Sequence, residues 1–311
     1  MYVDVVIPTY KPDEKLLVIL EKLCNQTVKP NKIILINTEQ KYLENLFRGK
    51  KLDYLNKILE IHHISIWEFD HGSSRNLGAE HSEADYLLFM TQDAVPLDNK
   101  LIENMLDSYS DEKVCSCFAR QVSEETATLA EEFSRKFNYP EESCVKSLED
   151  KKRLGVKTYF CSNACAMYKR EIFCRLGMFP KDMIFNEDMV FAHKVIESGY
   201  KIAYAAGALV THSHNYTNMQ QFHRNFDIGV SQKMHPEVFE DVSSEAEGGS
   251  YVKSAAKYFR ENKRPLYFIP FAVTCAFRLF GFKLGKNYEK LSHGLILKCT
   301  MSPTYFKKHW S

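Results

Sequence analysis

The 311-residue sequence predicts an α/β fold: a mostly parallel central sheet flanked by helices, with a helical C-terminal extension. Three observations carry this. Short apolar runs end on polar residues, at residues 3–7 and again at 86–90. Stretches with helical leucine spacing separate such runs. Beyond residue 250 the chain changes character, and basic residues interleave with aromatic ones.

Residues 3–7 read as the first strand and 8–12 as a turn. A helix follows from about Asp13, with Leu16, Leu17, Leu20 and Leu23 as its stripe. Residues 32–36 form a second strand that ends at Asn37-Thr38-Glu39. Strand, helix, strand is a βαβ opening, which implies parallel pairing through a right-handed crossover. There is no Gly-x-Gly-x-x-Gly, so the usual dinucleotide fingerprint is missing. Residues 40–63 read as a charged helix and 64–69 as a strand. The stretch from Asp70 to Gly78 turns into a helix that Ser73 or Ser74 can cap. Arg75 then falls in the first turn, where free backbone N–H groups suit an anion. The plainer reading is a solvated surface arginine.

The run Tyr86-Leu87-Leu88-Phe89-Met90 climbs to Thr91-Gln92-Asp93 and stops at Val95-Pro96. Pro96 cannot donate to a ladder, so the strand ends before it. Asp93 therefore stands at the carboxyl end of a buried strand, where open α/β sheets bind ligands. A carboxylate there can hold a hard divalent cation and, through it, a phosphate. Alternatively it only caps the turn before the next helix.

Asp98 caps that helix, with Leu101, Ile102, Met105 and Leu106 on one face. Residues 114–119 form a strand, 122–155 a polar helix and loop, and 159–168 a strand lined with small residues. A short helix near Lys169 is broken at 177–180. Asn186 then caps a helix that carries Glu187 and Asp188 in its first turn. The macrodipole favours acids there whatever their function. Residues 200–204 form another strand, and His212-Ser213-His214 closes the α/β part. These boundaries give an α/β domain over 1–220 and a helical, basic and aromatic region over 221–311.

In that region Gly248-Gly249 marks a linker at 245–250. The apolar run 266–277 contains Pro270 and stops at Arg278, short of the roughly 20 residues a spanning helix needs. Residues 251–311 hold twelve Lys/Arg against two acids, Glu261 and Glu289, although the whole chain has net charge +1. A basic, aromatic, amphipathic tail fits an anionic membrane surface. The alternative is a helical subdomain packed on the core. The acidic remainder argues against nucleic acid as a partner. Nine cysteines without a Cys-x-x-Cys pair suit reduced thiols in a cytoplasmic protein, and the N-terminus has no signal-peptide pattern.

Three polar clusters end strands or begin a helix: Thr91-Gln92-Asp93, Glu187-Asp188 and His212-Ser213-His214. One carboxylate plus a histidine can hold Mg²⁺ or Mn²⁺ while phosphates complete the shell. A separate carboxylate remains as a general base.

With these clusters the chain resembles family 2 glycosyltransferases of the GT-A (Rossmann-like) fold, and more narrowly the bacterial rhamnosyltransferases that use dTDP-L-rhamnose. The resemblance is carried by Val6-Ile7-Pro8-Thr9-Tyr10, Arg75-Asn76-x-Gly78, Phe89 to Ala94, Asn186-Glu187-Asp188 and His212 to Tyr216. Leu284-Gly285-Lys286, leading to His309-Trp310, adds to it. The resemblance implies donor-binding roles for Pro8, Thr9, Tyr10, Asn37, Glu39, Arg75, Gln92, Asp93 and Arg224. It implies metal binding by Asp93 with His212 or His214, and a catalytic role for Asp188 beside Glu187. The basic aromatic tail in turn suggests a cytoplasmic enzyme, peripheral at the inner face of the membrane, acting on a glycan or lipid-linked saccharide acceptor. Two departures stand out. Thr91 replaces the first acid of the family's Asp-x-Asp motif. Asn37-Thr38-Glu39-Gln40 replaces its Asp-Asp-Gly-Ser. Gln221-x-x-Arg224 is similar to the Gln-x-x-Arg-Trp of processive members, but Asn225 stands in place of the Trp.

Three other readings stay open. One is a UDP-sugar donor. Another is a non-catalytic nucleotide-sugar-binding protein at the membrane. The third, a sugar-1-phosphate nucleotidyltransferase, needs a glycine-rich loop that 8–12 does not supply.

Overall fold

The computed structural model describes residues 1–240 and 245–310. The chain divides into two compact units. The first comprises Met1–Val122, Tyr139–Asp182 and Glu187–His212; the second comprises Ser123–Asn138, Met183–Asn186 and Ser213–Ser311. The boundary expected at residue 220 falls inside a helix, Asn218–Met234.

The strands are β1 (Val3–Tyr10), β2 (Lys32–Thr38), β3 (Leu59–Ile64), β4 (Tyr86–Met90), β5 (Val95–Pro96), β6 (Val114–Val122), β7 (Cys144–Lys146), β8 (Cys165–Lys169) and β9 (Lys201–Thr211). The helices begin with α1 (Glu14–Cys24), α2 (Gln40–Phe47), α3 (His71–Glu80), α4 (Leu101–Leu106), α5 (Leu129–Asn138), α6 (Lys151–Leu154), α7 (Arg170–Arg175) and α8 (Glu187–Glu197). They continue with α9 (Asn218–Met234), α10 (Pro236–Phe239), α11 (Glu245–Glu261), α12 (Phe268–Gly285), α13 (His293–Cys299) and α14 (Pro303–Trp310).

The first unit holds one sheet of order β3-β2-β1-β4-β8-β6-β9-β5, with β7 pairing β9. β3, β2, β1 and β4 run parallel, as the βαβ opening requires. β8 is antiparallel to both its neighbours, and β6 and β9 are again parallel. Val5, Ile7, Leu35, Leu88 and Met90 are fully buried in its core with Leu16, Ile19, Leu20 and Leu23 of α1. Ile19 takes the place expected for Leu17, which is only partly buried.

Several expected elements shift, each for a local reason. β1 runs through Pro8 to Tyr10 instead of turning there. Its ladder to β4 ends at Val6, while the β2 ladder continues to Tyr10↔Thr38. Tyr10 N–H points to the β4 side, onto Gln92 Oε1. By the two-residue alternation Pro8 N points there too, past the end of that ladder, so its missing N–H costs no ladder bond. The third strand lies at Leu59–Ile64, not at 64–69. It is an edge strand with Glu60 and His62 on one face, and that polarity hid it within an apparently helical run. α3 is capped by Asp70, whose Oδ1 accepts from Gly72 N and Ser73 N at 2.8 Å each, rather than by Ser73 or Ser74. Glu245 begins a helix where a linker was expected at the two glycines. α12 continues through Arg278, so Pro265–Gly285 is long and apolar enough to cross a membrane, where the sequence suggested a run too short.

Gly78 explains why the Arg75-Asn76-x-Gly78 stretch needs its glycine. A Cβ there would lie 2.2 Å from Val6 Cγ1, so α3 can sit this close to β1 only without a side chain. In the second unit, α9 and α12 cross at similarly close range. A Cβ on Gly285 would meet Phe226 O at 2.1 Å, and one on Gly229 would meet Phe282 O at 2.4 Å. Phe222, Phe226, Val230, Ile296 and Phe306 form one apolar cluster in this unit; Phe133, Phe259 and Phe271 form another. All nine cysteines are free thiols.

Candidate active site

The carboxyl ends of β1, β2 and β4 assemble the first part of the site. Thr9 and Asn37 are register partners, and Thr9 Oγ1 donates to Asn37 Oδ1 at 3.0 Å. Asn37 Nδ2 reaches His63 Nδ1 at 3.0 Å. Gln92 holds Tyr10 by both backbone groups, accepting its N–H and donating to its C=O, each at 2.9 Å. Tyr10 packs edge-on against Tyr42 at 5.7 Å, with Lys11 Nζ 5.1 Å from the Tyr10 ring. Glu39 sits at φ 63° and accepts the Ile66 N–H, which anchors it to the chain after β3. The buried hydroxyls of Thr38 and Thr91 have no hydrogen-bond partner among the described residues.

β4 positions two more groups. Its ladder to β8 pairs Met90 with Cys165, and Thr91 N–H donates to Ala164 O just beyond. Asp93 lies two residues past that point. Asn163 precedes Ala164 in sequence, and its backbone N–H donates to Asp188 Oδ2 at 3.0 Å. Asp93 thus follows the end of β4, and the residue that holds Asp188 of α8 precedes the paired start of β8.

Asp93 Oδ1 faces His212 Nε2 at 3.4 Å. His212 Nδ1 lies 2.8 Å from Gln121 Oε1, an acceptor only, so Nδ1 carries the proton. Nε2 is thereby turned toward the carboxylate. A cation between them suits this arrangement, and an oxygen plus an imidazole nitrogen matches Mg²⁺ or Mn²⁺. Gln121 is buried and donates in turn to Ser162 Oγ at 2.8 Å. His214 belongs to the second unit, where its ring stacks on Tyr216 at 4.8 Å.

The acid pair at the start of α8 splits into two environments. Arg75 Nη1 donates to Glu187 Oε1 at 3.1 Å, and both side chains are less than a tenth exposed. Asn163 Nδ2 also donates to Glu187 Oε1, at 3.1 Å. Burial pushes the Glu187 carboxyl up, but Arg75, His71 and the Asn163 amide outweigh it, so Glu187 titrates below the usual range. Asp188 goes the other way. Burial first, and then the Glu187 charge, push it up to about 7, against the Asn163 and Met189 N–H groups. Asp188 is part-exposed as a residue, whereas Glu187 is buried. When environments drive two adjacent carboxyls apart like this, the raised one suits the proton-transfer role.

The sequence placed Arg75 toward an anion at a helix start. Its Nη1 is shared between Glu187 and the His71 carbonyl, and Asp70 caps the helix N-terminus. Asn186, expected as a cap, sits at φ 63° and gives its amide to Ser231 Oγ. In the second unit the Arg224 guanidinium stacks 4.6 Å from the Phe185 ring. Sequence reasoning missed Gln121 and Asn163. Both are neutral amides inside strand-like stretches, and only strand neighbours reveal them. Tyr168 OH donates to Asn163 Oδ1 at 2.8 Å, which turns the amide so that Nδ2 faces Glu187.

Residues 4–177 match the family model described as glycosyl transferase family 2. The chain is 36% identical over 314 residues to the O-antigen chain rhamnosyltransferase RfbN of Salmonella typhimurium, covering 100% of this chain and 96% of that protein. It is 37% identical over 289 residues to the O-antigen chain rhamnosyltransferase WbaN of Salmonella anatum, covering 92% and 88%. Among solved structures, the mannosyltransferase PcManGT from Pyrobaculum calidifontis, in complex with GDP-Man and Mn²⁺, superposes with TM-score 0.54 at 15% identity, covering 99% of this chain and 86% of that one. That likeness speaks to the fold alone. The protein belongs to glycosyl transferase family 2 and is a glycosyltransferase.

Proposed function

We propose that the protein transfers L-rhamnose from dTDP-β-L-rhamnose to a hydroxyl of a cell-surface glycan, with inversion at the anomeric carbon. The observation that carries this is the near full-length similarity, at 36% and 37% identity, to two enzymes named as O-antigen chain rhamnosyltransferases. Asp188 accepts the proton of the acceptor hydroxyl as its oxygen attacks the anomeric carbon. The bond from that carbon to the diphosphate oxygen breaks, and its electron pair leaves with dTDP. Glu187, held as an anion by Arg75, keeps the Asp188 carboxyl basic; Asn163 holds both acids in place. Pro8, Thr9, Tyr10, Asn37, Glu39 and Gln92 form the nucleotide side of the pocket. Asp93 and His212 would hold Mg²⁺ or Mn²⁺, with His214, two residues along the chain, as a further candidate ligand. The bound ion would supply Lewis-acid stabilisation of charge on the departing diphosphate.

A thermal-shift panel tests the donor. With Mn²⁺, dTDP-rhamnose is expected to raise the melting temperature more than UDP-sugars, because a ligand bound only by the folded state stabilises it by mass action. Asp93→Asn is expected to remove the Mn²⁺-dependent part of the shift. A larger response to a UDP-sugar would replace the donor assignment.

The acceptor is proposed to be lipid-linked, which would place the enzyme at the cytoplasmic face of the membrane. Support comes from α12, which leaves Ile269, Val273 and Phe280 exposed along one stripe, with Leu266 79% exposed just before it. An exposed apolar stripe amid a basic tail fits a peripheral site on anionic lipid. The protein should float with anionic liposomes at low salt and be released as salt rises. Failure to float at low salt would exclude this attachment.

A further inference from the structure

We propose that Glu60, His62 and His81 form a second metal site, suited to borderline transition ions such as Zn²⁺ or Co²⁺, at the β3 edge of the sheet. Glu60 and His62 are two residues apart on β3, so both side chains leave the same face. His81 is the residue that closes α3. His62 Nε2 lies 2.7 Å from Glu60 Oε1, and His81 Nδ1 lies 3.6 Å from the same oxygen. Lys32 Nζ takes the other oxygen, Oε2, at 3.2 Å. The two rings stack with centroids 3.7 Å apart and planes 21° apart, so their nitrogen edges stay together. All three ligand atoms lie within 4.8 Å of one another.

This donor set selects its ion. Two imidazole nitrogens with one carboxylate oxygen suit Zn²⁺, Co²⁺ or Ni²⁺ with the remaining positions open to water. Mg²⁺ and Ca²⁺ prefer oxygen shells. The side chains are part-exposed, at 25% for His62, 33% for Glu60 and 39% for His81, so an ion can enter from solvent. The Lys32 contact leaves Oε1 as the oxygen that both histidines share. One ion at that point would accept a lone pair from each of the three groups. It would also tie the edge strand to the end of α3, the helix that carries Arg75 and Asn76. None of these residues belongs to the Asp93–His212 pair, so the site stands apart from the catalytic reading.

The experiment is a Co²⁺ titration of the full chain in an Asp93→Asn background, which removes the carboxylate of the other candidate cation site. The visible d–d absorbance should appear and saturate there, and Zn²⁺ should raise the melting temperature. Adding His62→Gln or His81→Gln should abolish both responses. No Co²⁺ band in the Asp93→Asn background, or a band that survives replacement of both histidines, overturns the site. A second measurement uses the unaltered chain and so does not depend on the variants folding. Zn²⁺ should protect His62 and His81 from acylation by diethyl pyrocarbonate, mapped by mass spectrometry; equal labelling with and without Zn²⁺ also overturns it.

Discussion

Asp188→Asn is expected to lower turnover by roughly 10²- to 10⁴-fold, the usual contribution of a positioned general base, with donor affinity nearly unchanged. The amide keeps the shape of the carboxyl but cannot take the proton from the acceptor. Burial and the Glu187 charge push Asp188 up to about 7, so turnover should rise with pH and level off near that value. The variant should lose this limb. A group whose folded pKa is raised contributes stability at low pH and loses it as pH rises through the folded value. The wild type should therefore lose stability from this site between about pH 4 and 7, a loss the asparagine escapes. At pH 8 the variant should be at least as stable as the wild type. Initial rates of dTDP release against pH, with denaturant melts at pH 5 and 8, measure both effects. Near-normal turnover in the variant would remove Asp188 from the role.

The part of the site that could be read from the sequence is the part written in local pattern. The apolar climb from Tyr86 to Met90, ended by Pro96, placed Asp93 at a strand terminus, and the strand is there. The acids at 187 and 188 fall in the first turn of a helix, as their position before an apolar stripe implied. Gln121 and Asn163 could not be found this way. Each is a neutral amide in a strand-like stretch, and its partner lies tens of residues away, at His212 and Asp188. β3 escaped for a related reason. No residue of this edge strand is fully buried, so the alternation of Leu59 and Ile61 with Glu60 and His62 resembled a charged helix. For Arg75 the sequence showed where the side chain starts and not that it reaches Glu187. The identity of residue 187 made its destination a carboxylate within the fold.

These missed amides link the two chemical halves of the site. His212 leans on Gln121, and Gln121 donates to Ser162. Asn163, the next residue, donates to Asp188 from its backbone and to Glu187 from its side chain. One dipeptide thus joins the histidine that faces Asp93 to Asp188. A change in its position would move both ends together. This explains why β8 starts late, at Cys165: the preceding residues leave the ladder to make these contacts.

The link ends at Arg75, and its loss carries the largest expected stability effect. Arg75→Met should destabilise the protein by about 3–5 kcal/mol, because it leaves a buried carboxylate without its cation. Asn163 would remain, but one amide does not replace a guanidinium. Without Arg75 the folded Glu187 carboxyl should titrate above its unfolded value, opposite to its direction in the wild type. Stability of the variant should then fall as pH rises through that window, so its deficit is expected to be larger at pH 8 than at pH 5. Adding Glu187→Gln should recover much of the loss, since removing both partners of a buried pair costs far less than removing one. Urea melts of the two single variants and the double variant at both pH values form the test. If the pair is structural ballast alone, the double variant should also regain full turnover. If Glu187 tunes its neighbour, the double variant should regain stability while its pH–rate limb moves to lower pH, because the anion that raises Asp188 is gone.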